Sequence, residues 1–148
     1  MTIPTHVILG VLIGKITGDF PTAIAVSVLV DIDHLVSYVR HGVLTDYKKF
    51  LNVITDKEDP YGDQRGYLHN ILIAGLLSAL SFLVGMSFGL VFTLSYFGHL
   101  LLDALDKSDY WSLFPYKKIN IRWPIEYYSY QEILLMCVLI VAIIFLPL

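Results

Sequence analysis

The sequence predicts an all-α fold: a single membrane-embedded domain, residues 1–148, built from about five helices. Three observations carry that prediction. The chain is 56% hydrophobic and only 16% charged, with a mean hydropathy of +0.67, above the range of water-soluble domains. No charged residue falls between Asn70 and His99. The polar residues are instead gathered into two stretches, 40–66 and 106–131, between apolar runs long enough for helices. At 148 residues there is room for one compact domain.

The first helix is expected over 3–17, "IPTHVILGVLIGKIT". It is short beside the roughly 20 residues of a usual span, and Gly10 with Gly14 offers a small-residue packing face. No basic stretch precedes it, and His6 and Lys15 interrupt it, so it is expected to be retained rather than removed as a signal peptide. "GDFP" at 18–21 breaks that helix, and Asp19 and Pro21 start the next, over 21–39. The apolar run after Asn70 is too long for one span, and "GMSFG" at 85–89 supplies a turn. Helices over 67–84 and 88–105 follow, and "EILLMCVLIVAIIFLPL" gives the last, over 132–147. The single Cys137 lies inside that run, which excludes a disulfide framework and a thiolate metal site. No repeat or low-complexity tract interrupts this plan.

If the helices alternate up and down, both polar stretches lie at one end of the bundle. Arg40, Lys48, Lys49, Lys57, Arg65, Lys107, Lys117, Lys118 and Arg122 fall there, and only Lys15 falls near the other end. The excess of Lys and Arg predicts that this end faces the cytoplasm. Trp and Tyr interleave with the basic residues of 106–131, as suits a headgroup layer. The net charge of -3 gives no field to recruit nucleic acid.

The costly residues converge on that same end. His6 sits near the start of the first helix, Asp31, Asp33 and His34 near the end of the second, His69 at the start of the third, and His99 with Asp103 at the end of the fourth. Ionisable groups at membrane depth need compensation, and a divalent cation offsets several carboxylates at once. His99 and Asp103 at i, i+4 share a helical face, as do Asp31 and His34 at i, i+3. Asp33 is turned roughly 200° from Asp31 on a regular helix. Either the helix unwinds there, or Asp33 serves a second ion or orients a histidine. His41, beside Gly42, reads as a loop histidine outside the set. Imidazole and carboxylate ligands suit zinc, with manganese or iron as alternatives. Seven candidate ligands exceed the need of one tetrahedral ion, so two ions are plausible, an arrangement suited to phosphate esters.

His6, "DIDH" at 31–34, "RGYLH" at 65–69, "HLLLD" at 99–103 and Pro115 occur in an order that resembles the membrane-bound metal-dependent hydrolases of the YdjM, LexA-regulated type. The resemblance covers roughly residues 1 to 115. It implies a hydrolase, and the order of His and Asp is distantly similar to zinc-dependent phospholipase C. The family pattern H-R-G-x-T-H-S stands here as "QRGYLHN", with Gln64 in place of a histidine and Asn70 in place of a serine. One ligand of the family is thus missing or supplied by water.

These readings predict a metal-dependent hydrolase of the cell membrane, multi-pass, with its site at the cytoplasmic face and a lipid or lipid-linked phosphoester as substrate. Metal would be held by His6, Asp31, His34, His69, His99 and Asp103, with Asp33 as ligand or orienting base. Arg65 would clamp a phosphate oxygen, and Lys117, Lys118 or Arg122 would attract the headgroup. The alternatives are a cation or proton transporter using the same residues, and a non-catalytic membrane protein stapled by its metal.

Overall fold

A computed structural model describes residues 1–55, 60–62, 64–116 and 119–147. Its regular structure is helical, and β pairing among the described residues is limited to isolated bridges joining Asp106 to Ile125 and Trp111 to Asn120. Of the basic residues expected at one end, Lys57, Lys117 and Lys118 lie outside the described residues.

Helix α1 (Ile3–Thr17) has Pro4 in its first turn, where no amide donor is missed, and ends on Gly18 at φ +81°. The Asp19 side chain then accepts from the Thr22 amide and starts α2 (Phe20–Leu29). The two helices pack almost backbone to backbone. A Cβ on Gly10 would stand 2.7 Å from the Ile24 Cα, and one on Gly14 would stand 2.7 Å from the Phe20 Cα. The small-residue face is therefore what lets this hairpin close.

The single helix expected over 21–39 is two. After Leu29 the chain turns through Val30 and Asp31, and α3 (Ile32–Arg40) begins a new segment. Tight bonds from the Asp31 amide to Val28 O and from the His34 amide to Asp31 O replace the regular ladder. The stretch 40–66 is not all loop either. Asp46 accepts from the Lys48 and Lys49 amides and opens α4 (Tyr47–Thr55). Helix α5 (Ile71–Ser81) begins later than expected because Tyr67–His69 form a 3-10 turn and Asn70 caps the helix, accepting from the Leu72 and Ile73 amides. Helix α6 (Met86–Ala104) and helix α7 (Tyr130–Phe145) match their expected places within two residues.

The all-α class holds, but five full membrane spans do not follow from the structure. Among the described residues, Phe20–Arg40, taken across its break, and Met86–Ala104 are long and apolar enough to cross a bilayer. Helices α1, α5 and α7 are apolar but have 15, 11 and 16 residues. Helix α6 packs against α1, α2 and α5, and α7 lies against α1.

The distribution of polarity is inverted relative to a water-soluble bundle. Thr5, His6, Ser27, Ser95, His99 and Asp103 are fully buried among small and aliphatic residues such as Ala23, Ala74 and Ile13. Leu72, Leu83, Val84, Leu134 and Ile144 point outward and are exposed, as is Cys137. Apolar surface of that extent belongs against hydrocarbon rather than water. At one end of the bundle the polar stretches meet. Residues from the amino terminus, α3, α4, 64–65 and 106–128 line one cavity there.

Candidate metal centre

The centre is assembled from four helix ends and the 3-10 turn. His6 comes from the first turn of α1, Asp31 from the break between α2 and α3, His34 from α3, His69 from the turn before α5, and His99 with Asp103 from the last turns of α6. The break at Val30–Asp31 resolves the alternatives left open by the sequence. The helix does unwind, and Asp33 turns to a histidine. Its carboxylate accepts from the Leu68 amide at 2.7 Å and lies 3.2 Å from His69 Nδ1.

His34, His69 and His99 are each held by a contact on the outer nitrogen, whereas His6 has no hydrogen bond on either ring nitrogen. His99 Nδ1 donates to the Ser27 carbonyl oxygen at 2.7 Å, which fixes the tautomer and leaves Nε2 bare toward the centre. Asp33 does the same for His69. His34 Nδ1 lies 3.2 Å from Gln64 Oε1. Gln64, where a family ligand was expected, therefore touches the histidine that faces the centre and orients it.

The inward atoms form two groups that share Asp31. His6, Asp31, His99 and Asp103 each offer one ligand atom within 4.8 Å of the others, and so do Asp31, His34 and His69. His34, His69 and His99 present Nε2 at 3.3, 3.7 and 3.5 Å from the same oxygen, Asp31 Oδ1. His69 Nε2 stands 3.1 Å from Asp103 Oδ2 and 3.3 Å from His99 Nε2, while His6 stacks on His99 with ring centroids 3.9 Å apart. Both ring nitrogens of His6 are buried and make no hydrogen bond. Buried polar atoms without partners are expensive, and a cation between Asp31 and Asp103 is a partner that Nε2 could take. The donor set, imidazole and carboxylate without thiolate, fits zinc, manganese or iron. Burial works against charge on the His69 ring, yet contacts with Asp103, Asp31 and Asp33 push it up to about 10.

Behind the centre lies a second charged layer. Arg65 is buried and donates to Asp106 Oδ2 at 2.9 Å, to Ser108 Oγ at 2.9 Å and to the Asp109 carbonyl, with Nε 3.2 Å from Asp103 Oδ2. The nitrogen of Met1 bonds Asp103 and Asp106 at 2.8 and 2.9 Å. Burial opposes the charge on Asp106, but Met1 and Arg65 outweigh it and hold the carboxyl below its ordinary range. Burial likewise opposes charge on Arg65, and Asp103 with Asp106 overcomes it. The guanidinium that the sequence suggested as a phosphate clamp is thus spent on the protein's own acids.

His41 stacks on Tyr61, with centroids 4.0 Å apart, and belongs to neither ligand group. Arg122 pairs with Asp109 on the exposed surface. Asn70 spans two roles, capping α5 and donating to the Phe114 carbonyl oxygen at 2.6 Å. Two buried acids escaped the sequence reading. Asp106 sits one turn beyond Asp103, so continuing that helical face would have found it. Glu132 accepts from the Thr2 amide at 2.6 Å and from Thr5 Oγ1 at 2.8 Å, tying α7 to α1. Nothing local distinguishes it from an ordinary first-turn acid of a helix.

The orientation of His69 yields a direct expectation. Asp33→Asn keeps the shape but weakens the hold on His69 Nδ1, and metal affinity should fall by roughly 10–100-fold, measured by competition with a chromophoric chelator. An unchanged affinity would make Asp33 merely a bond to Leu68.

The family model described as YdjM inner membrane protein matches residues 1–147. No curated protein and no solved structure matches the chain. The chain belongs to the YdjM inner membrane protein family and is a membrane protein.

Proposed function

We propose that this member of the YdjM inner membrane protein family is a metal-dependent hydrolase that cleaves a lipid or lipid-linked phosphoester at the cytoplasmic end of its bundle. The observation that carries the reading is the pair of buried ligand groups joined through Asp31. A divalent cation, most plausibly zinc, would be held by His6, Asp31, His34, His69, His99 and Asp103. Such an ion would supply a Lewis acid for a phosphoryl oxygen and would bring the pKa of bound water toward about 7.

The rest of the work falls to the chain's own residues. Asp31 and His34 reach both the ligand groups and the cavity wall, so a substrate entering the cavity meets them first. His6, His69 and His99 are fully buried and close the far side against water. Asp33, Gln64 and the Ser27 carbonyl keep the rings aimed, so little reorganisation is required when charge develops. Arg65 balances Asp103 and Asp106 and so limits the negative charge that an anionic substrate would meet. Arg40, Lys48, Lys49, Lys107 and Arg122, on the segments at this end, support the cytoplasmic orientation, with Lys15 at the opposite end of α1.

One observation favours transport instead. The hydroxyls of Ser27, Ser78, Thr93 and Ser95 are buried without hydrogen-bond partners, on helices that run from the centre toward the other end. Buried hydroxyls of this kind suit a passing cation or proton.

One preparation separates the readings. The protein in lipid nanodiscs, exchanged with zinc, should retain about two ions per chain, and chelation should abolish release of phosphate or headgroup from phospholipids. Failure to retain zinc, manganese or iron sinks the metal centre. Retained metal with no ester cleaved, joined to cation flux in liposomes, transfers the site to transport.

A further inference from the structure

We infer that the cavity beside the metal centre is a chain-binding subsite, and that the substrate is a phosphate ester carrying one hydrocarbon chain within it. This rests on the hydrolase reading and names its substrate class. The cavity has a volume of about 500 Å³ and is divided by chemistry. Asp31, His34, Gln64, Arg65, Asp106, Ser108 and Asp109 supply its polar lining, and Asp31 and His34 join it to the centre. Leu35, Leu44, Phe50, Val53 and Ile54 supply apolar lining, together with the rings of Tyr38, Tyr127 and Tyr128.

Helix α4 supplies much of that apolar side. Phe50, Val53 and Ile54 recur at helical spacing and turn toward the cavity, whereas Lys48 and Lys49 are exposed and take no part in the lining. A short helix divided in this way, at the end of a membrane-embedded bundle, suits the boundary between headgroups and acyl chains. A polar, metal-facing side joined to an oily side fits an amphiphile with an anionic head, not a soluble phosphate. Volume narrows the class. A methylene takes slightly less than the roughly 30 Å³ of a liquid water, so the cavity admits a phosphate and a chain of about twelve carbons, but not two such chains abreast.

The test uses the full chain in nanodiscs and dodecyl phosphate bearing a diazirine at its chain end. Photolysis and peptide mapping should place adducts on Leu35, Tyr38, Leu44, Phe50 or Ile54. Excess dodecyl phosphate should suppress them, and excess dodecyltrimethylammonium should not. Adducts confined to outward residues such as Leu83, Val84 and Ile144 would overturn the subsite and leave only bilayer lipid.

A second arm compares hydrolysis of butyl and dodecyl phosphate. The ratio of dodecyl to butyl kcat/KM should drop by about tenfold in Phe50→Ala/Ile54→Ala, compared at a metal content equal to that of the wild type. Partition into the nanodisc is common to both proteins, so this change isolates the cavity. An unchanged ratio counts against the subsite. Cavity adducts without any hydrolysis would keep the subsite and end the hydrolase reading. Equal cleavage of both esters with adducts outside would do the reverse. A double variant that loses its metal is read by wild-type adducts alone, which decide the matter without it.

Discussion

Asp31→Asn strips metal from both ligand groups at once. Its carboxylate is the member common to the two, and three histidine Nε2 atoms stand within 3.7 Å of one of its oxygens. An amide keeps the volume and one acceptor oxygen but removes the charge, leaving a donor aimed among imidazoles. The loss of affinity should exceed the roughly 10–100-fold expected on removing a group that only orients a ligand, and ester cleavage should fall with it. His34→Ala is the internal comparison. It touches only the second group and should leave about half of the metal in place, since His6, His99 and Asp103 still hold the first. Metal content per chain after gel filtration checks both. If Asp31→Asn retained its full complement, the bridged arrangement would be wrong.

Arg65→Met produces the largest loss of stability. The substitution leaves Asp103 and Asp106 buried, with Met1 as the remaining cation in contact with both. Removing one partner from a buried charged cluster typically costs about 3–5 kcal/mol, because the partners left behind stay desolvated. Thermal unfolding in nanodiscs should show the loss, and Arg65→Met/Asp106→Asn should recover part of it. A cost near that of a surface pair, about 1 kcal/mol or less, would mean that water reaches the acids. The same cluster sets a pH expectation. Since the folded Asp106 carboxyl titrates below its ordinary value, the stability it contributes is present above that ordinary value and is lost as pH falls through the lowered one.

The convergence of His6, Asp31, His34, His69, His99 and Asp103 was legible in the sequence because helix ends alternate and the residues sat at the matching ends. What was hidden depended on contacts between distant segments. The break at Val30–Asp31 sits in "VLVDID", a run with no glycine or proline to announce it. Helix α4 was invisible because nine residues with two lysines resemble a solvated loop unless a cavity gives Phe50, Val53 and Ile54 something to face. Gln64 could be judged only as a ligand or a loss. Its role on His34 Nδ1 requires knowing which nitrogen points away from the centre. Arg65, conversely, looked available because its acceptors, Asp106 and Ser108, lie over forty positions later in the chain.

The shortness of α5 bears on the lipid around the protein. It has 11 residues beside the 19 of α6, a difference of about 12 Å at 1.5 Å per residue. Where α6 crosses a bilayer matched to its length, α5 would fall short of the same thickness, and compressed acyl chains or a lean of the whole body would make up the difference. Membranes with short or unsaturated tails relieve this mismatch, and sterol-like stiffening aggravates it. Seating depth would then depend on the surrounding leaflet as much as on the polypeptide.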